Sequence, residues 1–315
     1  MQTDQILLRL YESAAEQPWT GLNDTIFSSL RTGLQFDSGA IVQTCVRPDQ
    51  SLDARCLDAC DTPLERWAER ASLNVPDPGL SRALCHQGQA VVTPYRELRI
   101  YTGDFKRYMQ RYDVAHALTW VMPHQAGTVT EIVSLWRALP RRQPGLREQR
   151  LLGALMPHVL RARAINRRLL AGPGDTPASL TLLVNRHGVV QVLGEAAHTL
   201  LALEWPTWSG PFLPAALWQG LCASLELRWR GKQLCARAEA RDGLLAVHID
   251  RLPQQPALLT PAELRIARLV ADGATYKEAA RRLGISPATV RNQLHRVYGK
   301  LTIAGRRELA PALLR

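Results

Sequence analysis

Four polar side chains near the C-terminal end of the chain have the types and spacing that contact with DNA bases requires. They are Arg291, Asn292, His295 and Arg296. The apolar residues of the same segment recur every three or four positions, which predicts a helix that buries this stripe and exposes the polar face. The stripe consists of Val290, Leu294, Val297 and Leu301. In the major groove arginine can pair with guanine and asparagine with adenine, so the exposed face is typical of sequence-specific DNA recognition.

Helix start and stop signals place this segment in a helix-turn-helix. Thr260–Glu263 combines a hydroxyl cap, a proline at the first helical position and a glutamate three residues later, which predicts a helix that stops at Gly273. Thr275 starts a second helix that ends at Gly284, and Ser286-Pro287 starts the third. Two short helices joined by a tight turn, the second with its own cap, indicate this DNA-binding motif.

Positive charge surrounds the motif. Residues 257–315 hold 11 basic and 4 acidic residues, in a chain whose formal net charge is +11. Excess positive charge favours nucleic acid or another anionic surface and provides affinity that does not depend on sequence. The side chains predicted to contact backbone phosphates are Lys277, Thr289, Arg296 and Lys300.

Residues 259–314 resemble the LuxR-type helix-turn-helix domain in the order and spacing of their motifs. The matching segments are Leu259–Glu263, Leu269–Gly273, Lys277–Ala280, Leu283–Ser286 and Thr289–Asn292. The resemblance implies a four-helix domain that dimerises through a fourth helix near Arg306–Leu314. It also implies base contacts from Arg291, Asn292 and His295 and backbone contacts from Lys277 and Thr289. Two departures, Gly299 inside the third helix and Thr302 where the family usually has glycine, affect the end of that helix.

A second basic segment lies upstream. Residues 137–168 contain nine arginines and a single acidic residue, Glu148, and residues 145–170 have the pattern of a helix with one apolar stripe. The stripe is formed by Leu151, Leu152, Leu155, Val159, Ala162 and Ile165. Pro157 is expected to kink this helix or restart it. Such a helix can lie on a membrane, touch DNA or pack on a partner helix, and its narrow stripe and the following Gly172–Gly174 linker favour packing.

The rest of the chain combines helices with antiparallel strands, which predicts an α+β class. Strands are expected at 40–46, 116–122 and 128–137, and hairpin patterns predict a five-stranded antiparallel sheet at 177–252 followed by a linker at 253–256. These regions resemble, more loosely, the GAF-like and PAS-like sensor modules that precede such DNA-binding domains. We expect four parts: a GAF-like domain at 1–140, a basic connecting helix and linker at 141–174, a PAS-like domain at 175–252 and the LuxR-type domain at 257–315.

Aromatic residues of the first region are candidates for a ligand pocket. They are Trp67, Tyr95, Tyr101, Tyr108, Trp120 and Trp136. Tryptophans around a small α+β pocket could line a site for a small apolar or aromatic ligand, and the alternative is that they fill cores and interfaces. Trp67 and Asp77-Pro78 hint at the acyl-homoserine-lactone sensor pattern, but Ala71 stands where that pattern has a ligand tyrosine.

The cysteines and histidines give no pattern of a metal or cofactor site. The cysteines are Cys45, Cys56, Cys60, Cys85, Cys222 and Cys235. Neither the spacing of Cys56 and Cys60 nor the Cys85-His86 pair matches the ligand spacing of common zinc sites. We therefore expect reduced thiols in a reducing cytoplasm, with a thiol sensor as the alternative.

Several other classes of protein lack support in the sequence. A Gly-rich phosphate loop, a Gly-x-Ser-x-Gly elbow and a His-Glu-x-x-His motif are all absent, so an enzyme is not expected. The N-terminal region lacks the acidic pair and strand-end aspartate of a phosphoacceptor receiver. The strand-rich region at 177–252 argues against a sigma-factor-like subunit, and no apolar run reaches the ~18 residues of a membrane span.

Together these patterns predict a cytoplasmic one-component transcription regulator. It would bind double-stranded operator DNA as a homodimer, under the control of a small-molecule ligand in its N-terminal sensor region, without a membrane partner. It would contact RNA polymerase if it is an activator. The alternative is a DNA-binding regulator that is controlled by thiol redox state or by a partner protein and has no small-molecule ligand.

Overall fold

The computed structural model describes residues 2–47, 51–73, 75–95, 103–125, 127–138, 142–170, 182–252, 259–301, 303 and 305–313. Two units are distinct, Met1–Arg251 and Leu252–Arg315. The predicted linkers at 172–174 and 253–256 lie outside the described residues, as do Tyr101 and Thr302. Two antiparallel sheets followed by a helical C-terminal unit confirm the predicted α+β class.

The first sheet of unit Met1–Arg251 has five strands. They are β1 (Ser38–Val46), β2 (Leu52–Cys60), β3 (Ala90–Pro94), β4 (His116–Val121) and β5 (Val129–Arg137). All neighbouring strands are antiparallel, in the order β2-β1-β5-β4-β3. The helices around it are α1 (Gln2–Glu16), α2 (Trp19–Gly33), α3 (Leu64–Ser72), α4 (Pro78–Cys85), α5 (Gly103–Arg111) and α6 (Leu146–Leu170).

The sequence pattern predicts β1, β4 and β5 but misses β2 and β3. In β2 the register with β1 shifts between Gln43 and Thr44, so Arg55 is left out of the pairing. A bulge changes which side chains face the core, and the apolar alternation of β2 therefore changes phase in mid-strand. Strand β3 is covered on both faces and shows no alternation.

The two faces of this sheet hold separate hydrophobic clusters. One face packs against α1, α2 and α6, and its buried residues include Trp120 and Leu135. The other face packs with side chains from α3 and α5, and its buried residues include Ala117 and Trp136. Because side chains alternate along a strand, neighbours such as Leu135 and Trp136 belong to opposite faces.

Helix α6 closes the first of these faces. Its predicted apolar stripe is buried or half-buried in the cluster with α1 and α2, so the partner helices come from the chain itself. Pro157 does not restart the helix, which runs unbroken from Leu146 to Leu170. The side chain of Pro157 is exposed, and Gly153, whose carbonyl loses its hydrogen-bond donor there, borders open space.

The second sheet follows with the same topology. Its strands are β6 (Leu182–Val184), β7 (Val190–Leu193), β8 (Arg228–Arg230), β9 (Leu234–Arg241) and β10 (Leu244–Arg251), in the order β7-β6-β10-β9-β8. The five predicted strands are thus confirmed, as is a helix at α7 (Glu195–Glu204). Helix α8 (Ala215–Ala223) lies in a Trp- and Pro-containing segment where no helix is expected from the sequence, and its mostly apolar residues lack an amphipathic period.

The two sheets are packed together at β2. The Nη1 atom of Arg55 lies 2.7 Å from a carboxylate oxygen of Glu195 at the start of α7. Gly210 approaches the same strand so closely that a Cβ atom there would lie 2.7 Å from the Ala54 carbonyl oxygen. Cys56 belongs to the core of the second sheet. The bulged strand β2 therefore belongs to the first sheet and also packs against the second.

The C-terminal unit is helical throughout its described part. Its elements are α9 (Pro261–Ala271), α10 (Tyr276–Leu283), α11 (Pro287–Leu301), a 3-10 turn at Arg306–Glu308 and α12 (Leu309–Leu313). Of the helices in the ranges that the structure describes, none is long and apolar enough to span a bilayer.

Candidate nucleic-acid interface

Two capping boxes fix the helices that carry the DNA-facing side chains. The Thr260 amide donates to Glu263 Oε2 at 2.7 Å, and the Glu263 amide donates to Thr260 Oγ1 at 3.3 Å. Thr275 and Glu278 repeat this pair of bonds at 2.7 and 3.3 Å. Each box satisfies two amides that a helix start otherwise leaves free. The second box could also have been predicted from the sequence, because Glu278 stands three residues after the predicted cap, Thr275.

A tight turn sets α11 against α10. Gly284 has φ of +67° and ψ of 28°, a left-handed conformation that favours glycine. The Ile285 amide then donates to the Ala280 carbonyl at 3.1 Å. The Oγ atom of Ser286, two residues after Gly284, accepts a hydrogen bond from the Thr289 amide at 3.0 Å and starts α11. The predicted turn and cap are both present.

The predicted stripe of α11 forms the core of this unit. Val290, Leu294 and Val297 are fully buried, together with residues of α9 and α10 and with Leu309 of α12. Leu301 at the end of the stripe is half-buried. This core fixes which face of α11 remains outside.

That outer face carries the four predicted polar side chains. Arg291, Asn292, His295 and Arg296 are all exposed. At about 100° per residue they cover the half of the helix opposite Val290. Within the ranges that the structure describes, none of the four side chains has a hydrogen-bond or ion-pair partner. Their donors and acceptors are therefore free to engage another molecule.

The predicted phosphate contacts differ in their surroundings. Lys277 is exposed in the first turn of α10. Thr289 is half-buried, and its hydroxyl shares a 2.8 Å hydrogen bond with that of Ser286. Lys300 instead donates to Glu263 Oε2 at 2.6 Å and ties the end of α11 to the start of α9. This hydrogen bond, with that from the Thr260 amide, lowers the pKa of Glu263 to about 2.

The structure brings together four of the six aromatic residues predicted to line a pocket. Trp67, Tyr95, Tyr108 and Trp136 lie in the cluster between the first sheet and helices α3 and α5. The ring centroids of Trp67 and Trp136 are 5.9 Å apart. Trp120 does not join them, because it points to the other face of the sheet, where it is buried against α1, α2 and α6. Tyr101 lies outside the described residues.

Asp77 has a local structural role beside this cluster. Its Oδ1 atom accepts from the amides of Gly79 at 2.9 Å and Leu80 at 3.2 Å, which caps α4. The Tyr95 hydroxyl donates to the same oxygen at 2.9 Å. The aspartate that hints at a lactone sensor is thus engaged by the chain's own donors.

A buried ionic network, which the sequence does not reveal, joins α6 to the first sheet. The side chain of Arg163, with 1% exposure, lies 3.0 Å from a carboxylate oxygen of both Asp58 and Glu131. It also donates to Asn23 Oδ1 at 2.7 Å, and Arg167 forms a second ion pair with Glu131. Burial by itself raises the pKa of Glu131, but the two guanidinium charges outweigh it and hold that pKa below its ordinary value. The signal that could have found the network is a carboxylate at a buried position of a strand.

Cys56 and Cys60 are placed unfavourably for redox chemistry, whereas Cys85 and Cys222 are exposed. Burial raises the pKa of both the Cys56 and Cys60 thiols, the latter to about 11, so the reactive thiolate is scarce near neutrality. Four residues apart on one strand, the two are separated by about 13 Å, beyond disulfide reach. Among the described residues no group of His, Cys, Asp or Glu side chains is arranged to hold a metal ion.

Comparison with known proteins assigns the C-terminal unit. Residues 257–312 match the family described as "Bacterial regulatory proteins, luxR family". An HTH-type transcriptional regulator of Mycobacterium bovis is 47% identical over 51 residues, and one from Mycobacterium tuberculosis H37Rv is 45% identical over 51 residues. Each alignment covers 16% of this chain, which spans only 6% of the length of these relatives.

Several solved structures align with larger shares of the chain at lower sequence identity. The N-acylhomoserine lactone dependent LuxR family factor CepR2 of Burkholderia cenocepacia aligns over 54% of this chain and 97% of its own, with 17% identity and a TM-score of 0.41. SdiA of Escherichia coli aligns over 99% and 97%, with 10% identity and a TM-score of 0.37. A GAF domain from a Bacillus halodurans sensor histidine kinase aligns over 47% and 93%, with 13% identity and a TM-score of 0.30. Similarity at this level assigns neither a fold nor a ligand to the first unit.

The match to the family model, the capped helices and the buried stripe of α11 all concern the same residues. The matched family consists of regulatory proteins rather than enzymes. The C-terminal part of this chain is a helix-turn-helix domain of the bacterial LuxR family.

Proposed function

We propose that the chain is a cytoplasmic one-component transcription regulator that binds double-stranded operator DNA through α11. The observation that carries the proposal is the outer face of α11, where four exposed side chains have no partner in the described residues. Arg291, Asn292 and His295 contact base edges in the major groove. Lys277, Thr289 and Arg296 hold the backbone, and Lys300 does so if it leaves Glu263.

The regulator acts as a homodimer through the region of α12. In the proposed division of the chain, residues 1–140 form a GAF-like sensor, 141–174 a connecting helix and linker, 175–252 a PAS-like domain and 257–315 the DNA-binding domain. The two sheets of the first unit share one strand order, which fits two sensor modules of related topology. RNA polymerase is a further partner if the protein activates transcription.

A small apolar or aromatic ligand in the first unit controls DNA binding. The aromatic cluster of Trp67, Tyr95, Tyr108 and Trp136 supports this part of the proposal, because a pocket for such a ligand is lined mainly by aromatic and apolar side chains. Helix α6 is the coupling element, since it packs on the sensor sheet and leads toward the second module. Control by thiol redox state through Cys56 and Cys60 is the weaker alternative, because burial raises the pKa of both thiols, that of Cys60 to about 11.

The test begins with the operator itself. Binding sites are selected from random double-stranded DNA with the full-length protein, and the affinities for the selected site and for a scrambled site are measured by fluorescence anisotropy. Arg291→Ala and Asn292→Ala should each reduce the ratio of these affinities by about 5- to 150-fold. Lys277→Ala should weaken both affinities alike and reduce the salt dependence.

Arg268→Ala is the matched control, because Arg268 is an exposed arginine on α9 of the same domain. It removes one charge without touching α11 and should preserve the affinity ratio. If the Arg291→Ala and Asn292→Ala variants keep the wild-type ratio while remaining folded, α11 is not the reading helix.

A further inference from the structure

Arg66 of α3 is a buried cation on the aromatic side of the first sheet. Only 3% of its surface is exposed. Its guanidinium carbon lies 3.9 Å from the ring centroid of Trp136, and the ring centroids of Tyr108 and Tyr112 are farther away, at 6.0 and 5.8 Å. Its Nε atom makes a 3.3 Å hydrogen bond to the Tyr108 hydroxyl. The charge is thus surrounded by aromatic rings.

This cation has no carboxylate partner among the described residues. Glu69, one turn further along α3, contacts Arg111 at 3.3 Å and the Tyr112 hydroxyl at 2.7 Å instead. Asp77 is engaged by the cap of α4 and by Tyr95. A charge taken out of water is costly unless it is paired, so a buried guanidinium without a carboxylate is unusual.

Arg163 on the other face of the same sheet provides the contrast. It is equally buried, and two carboxylates at 3.0 Å neutralise it. Arg163, a buried arginine with a structural role, is therefore paired with carboxylates, whereas Arg66 is not. Rings near Arg66 supply cation–π attraction but carry no negative charge, and in the described part of the chain only the Nε atom of the guanidinium forms a hydrogen bond.

A second, independent observation points to the same place. The indole N–H of Trp67 is buried and has no hydrogen-bond partner in the described part of the chain. Its ring lies 5.9 Å from that of Trp136, which Arg66 covers. The hydroxyl of Thr93 on the same face of the sheet is also buried without a partner there. Buried polar groups are normally satisfied, and those that are not call for a missing partner.

We propose that this side of the first sheet binds a small organic anion, a carboxylate with an aromatic or apolar body. The guanidinium of Arg66 pairs with the carboxylate, and the Trp67 indole N–H donates a hydrogen bond to it. Trp136 and Tyr108 pack against the apolar body. This inference rests on the proposed ligand control and adds the charge of the ligand to it.

The test compares acids with their neutral esters on the full-length protein. Benzoate, phenylacetate and octanoate, each beside its methyl ester, are titrated by calorimetry and by thermal shift. At least one acid should bind 10-fold or more tightly than its ester, since a charged hydrogen bond is lost in the ester. Arg66→Met should abolish the preference for the acid, and Arg66→Lys should retain part of it. Arg107→Met, which removes an exposed arginine of α5, should leave both affinities unchanged.

The unliganded protein provides a readout that needs no ligand. Arg66→Met removes an unpaired buried charge, so the melting temperature without ligand should equal or exceed that of the wild type. A cation with only a structural role would instead make this variant less stable. That outcome, or equal binding of acids and esters, or no binding of any acid, overturns the proposal. Operator affinity is measured on the same samples, so a failure of the anion site is distinguished from a failure of the regulator itself.

Discussion

Replacing Arg163 with methionine should destabilise unit Met1–Arg251 by about 3–5 kcal/mol. The substitution preserves much of the side-chain volume but removes the charge that pairs with Asp58 and Glu131, each at 3.0 Å. Both carboxylates are almost inaccessible to water, with side-chain exposures of 2% and 6%. Breaking a buried pair is costly because it leaves such charges uncompensated.

The partners that Asp58 and Glu131 retain keep the loss of stability within that range. Three charged or polar hydrogen bonds of Arg163 disappear, each worth about 1–3 kcal/mol. Asp58 retains its bonds from Trp19 and Asn23, and Glu131 retains its ion pair with Arg167. Adding Asp58→Asn to the variant should recover part of the stability, because it removes one of the stranded charges.

The assay is urea and thermal unfolding followed by far-UV circular dichroism and tryptophan fluorescence. For a unit of this size the expected loss corresponds to a fall in Tm of roughly 6–20 °C. Arg161→Met is the matched control, an exposed arginine two residues away on α6, and it should change Tm very little. If the two variants lose similar stability, or if Arg163→Met loses less than about 1 kcal/mol, the network does not hold α6 on the sheet.

Three further predictions concern the stability of the C-terminal unit, which is measured by following the far-UV circular dichroism of its helices during unfolding. Gly284→Ala should reduce the stability by about 1–2 kcal/mol, because the left-handed turn strains a Cβ atom. Gly299→Ala, inside α11 with open space around it, should instead increase the stability by about 0.5–1 kcal/mol. Equal effects of the two substitutions would refute the assignment of the turn. Thr275→Ala should cost about 1 kcal/mol through loss of the cap, and no loss would mean that the capping box is not formed in solution. Lys300 and the first capping box lower the pKa of Glu263 to about 2. The contribution of the Glu263 carboxylate to the stability of the C-terminal unit is therefore complete above about pH 4.3 and is lost as the pH falls toward 2. Glu263→Gln should flatten that loss on acidification, and an unchanged acid transition would contradict the assigned cause.

The C-terminal unit was predictable because its signals are local. A cap and its partner glutamate stand three residues apart, a glycine follows the ends of α9 and α10, and the stripe of α11 recurs every three or four residues. Each signal is complete within a few residues, so no knowledge of the distant chain is needed. Even here the pairing of Lys300 with Glu263, 37 residues apart, depends on how α11 crosses α9 and could not be derived from spacing.

The first unit was less predictable because its decisive features are long-range. The bulge at Arg55 exists only in relation to β1 and hides β2 from a search for alternating residues. Four of the six predicted pocket aromatics lie in one cluster, because which side chains share a face depends on strand parity and on which helices cover each face. Trp120 and Trp136 are both even-numbered, yet they lie on different strands and point to opposite faces.

The arginines of residues 137–168 and those of α11 differ in whether the chain supplies acidic partners for them, although composition alone makes the two sets alike. Arg137, Arg163 and Arg167 are paired with acidic residues of the first unit, so part of the positive charge in residues 137–168 neutralises carboxylates of the same unit. Arg291 and Arg296 have no such partner within the described residues. Positive charge therefore indicates an external anion only where the chain leaves it unpaired. That criterion selects the exposed face of α11 for the polyanion and, deep in the first unit, Arg66 for a small one.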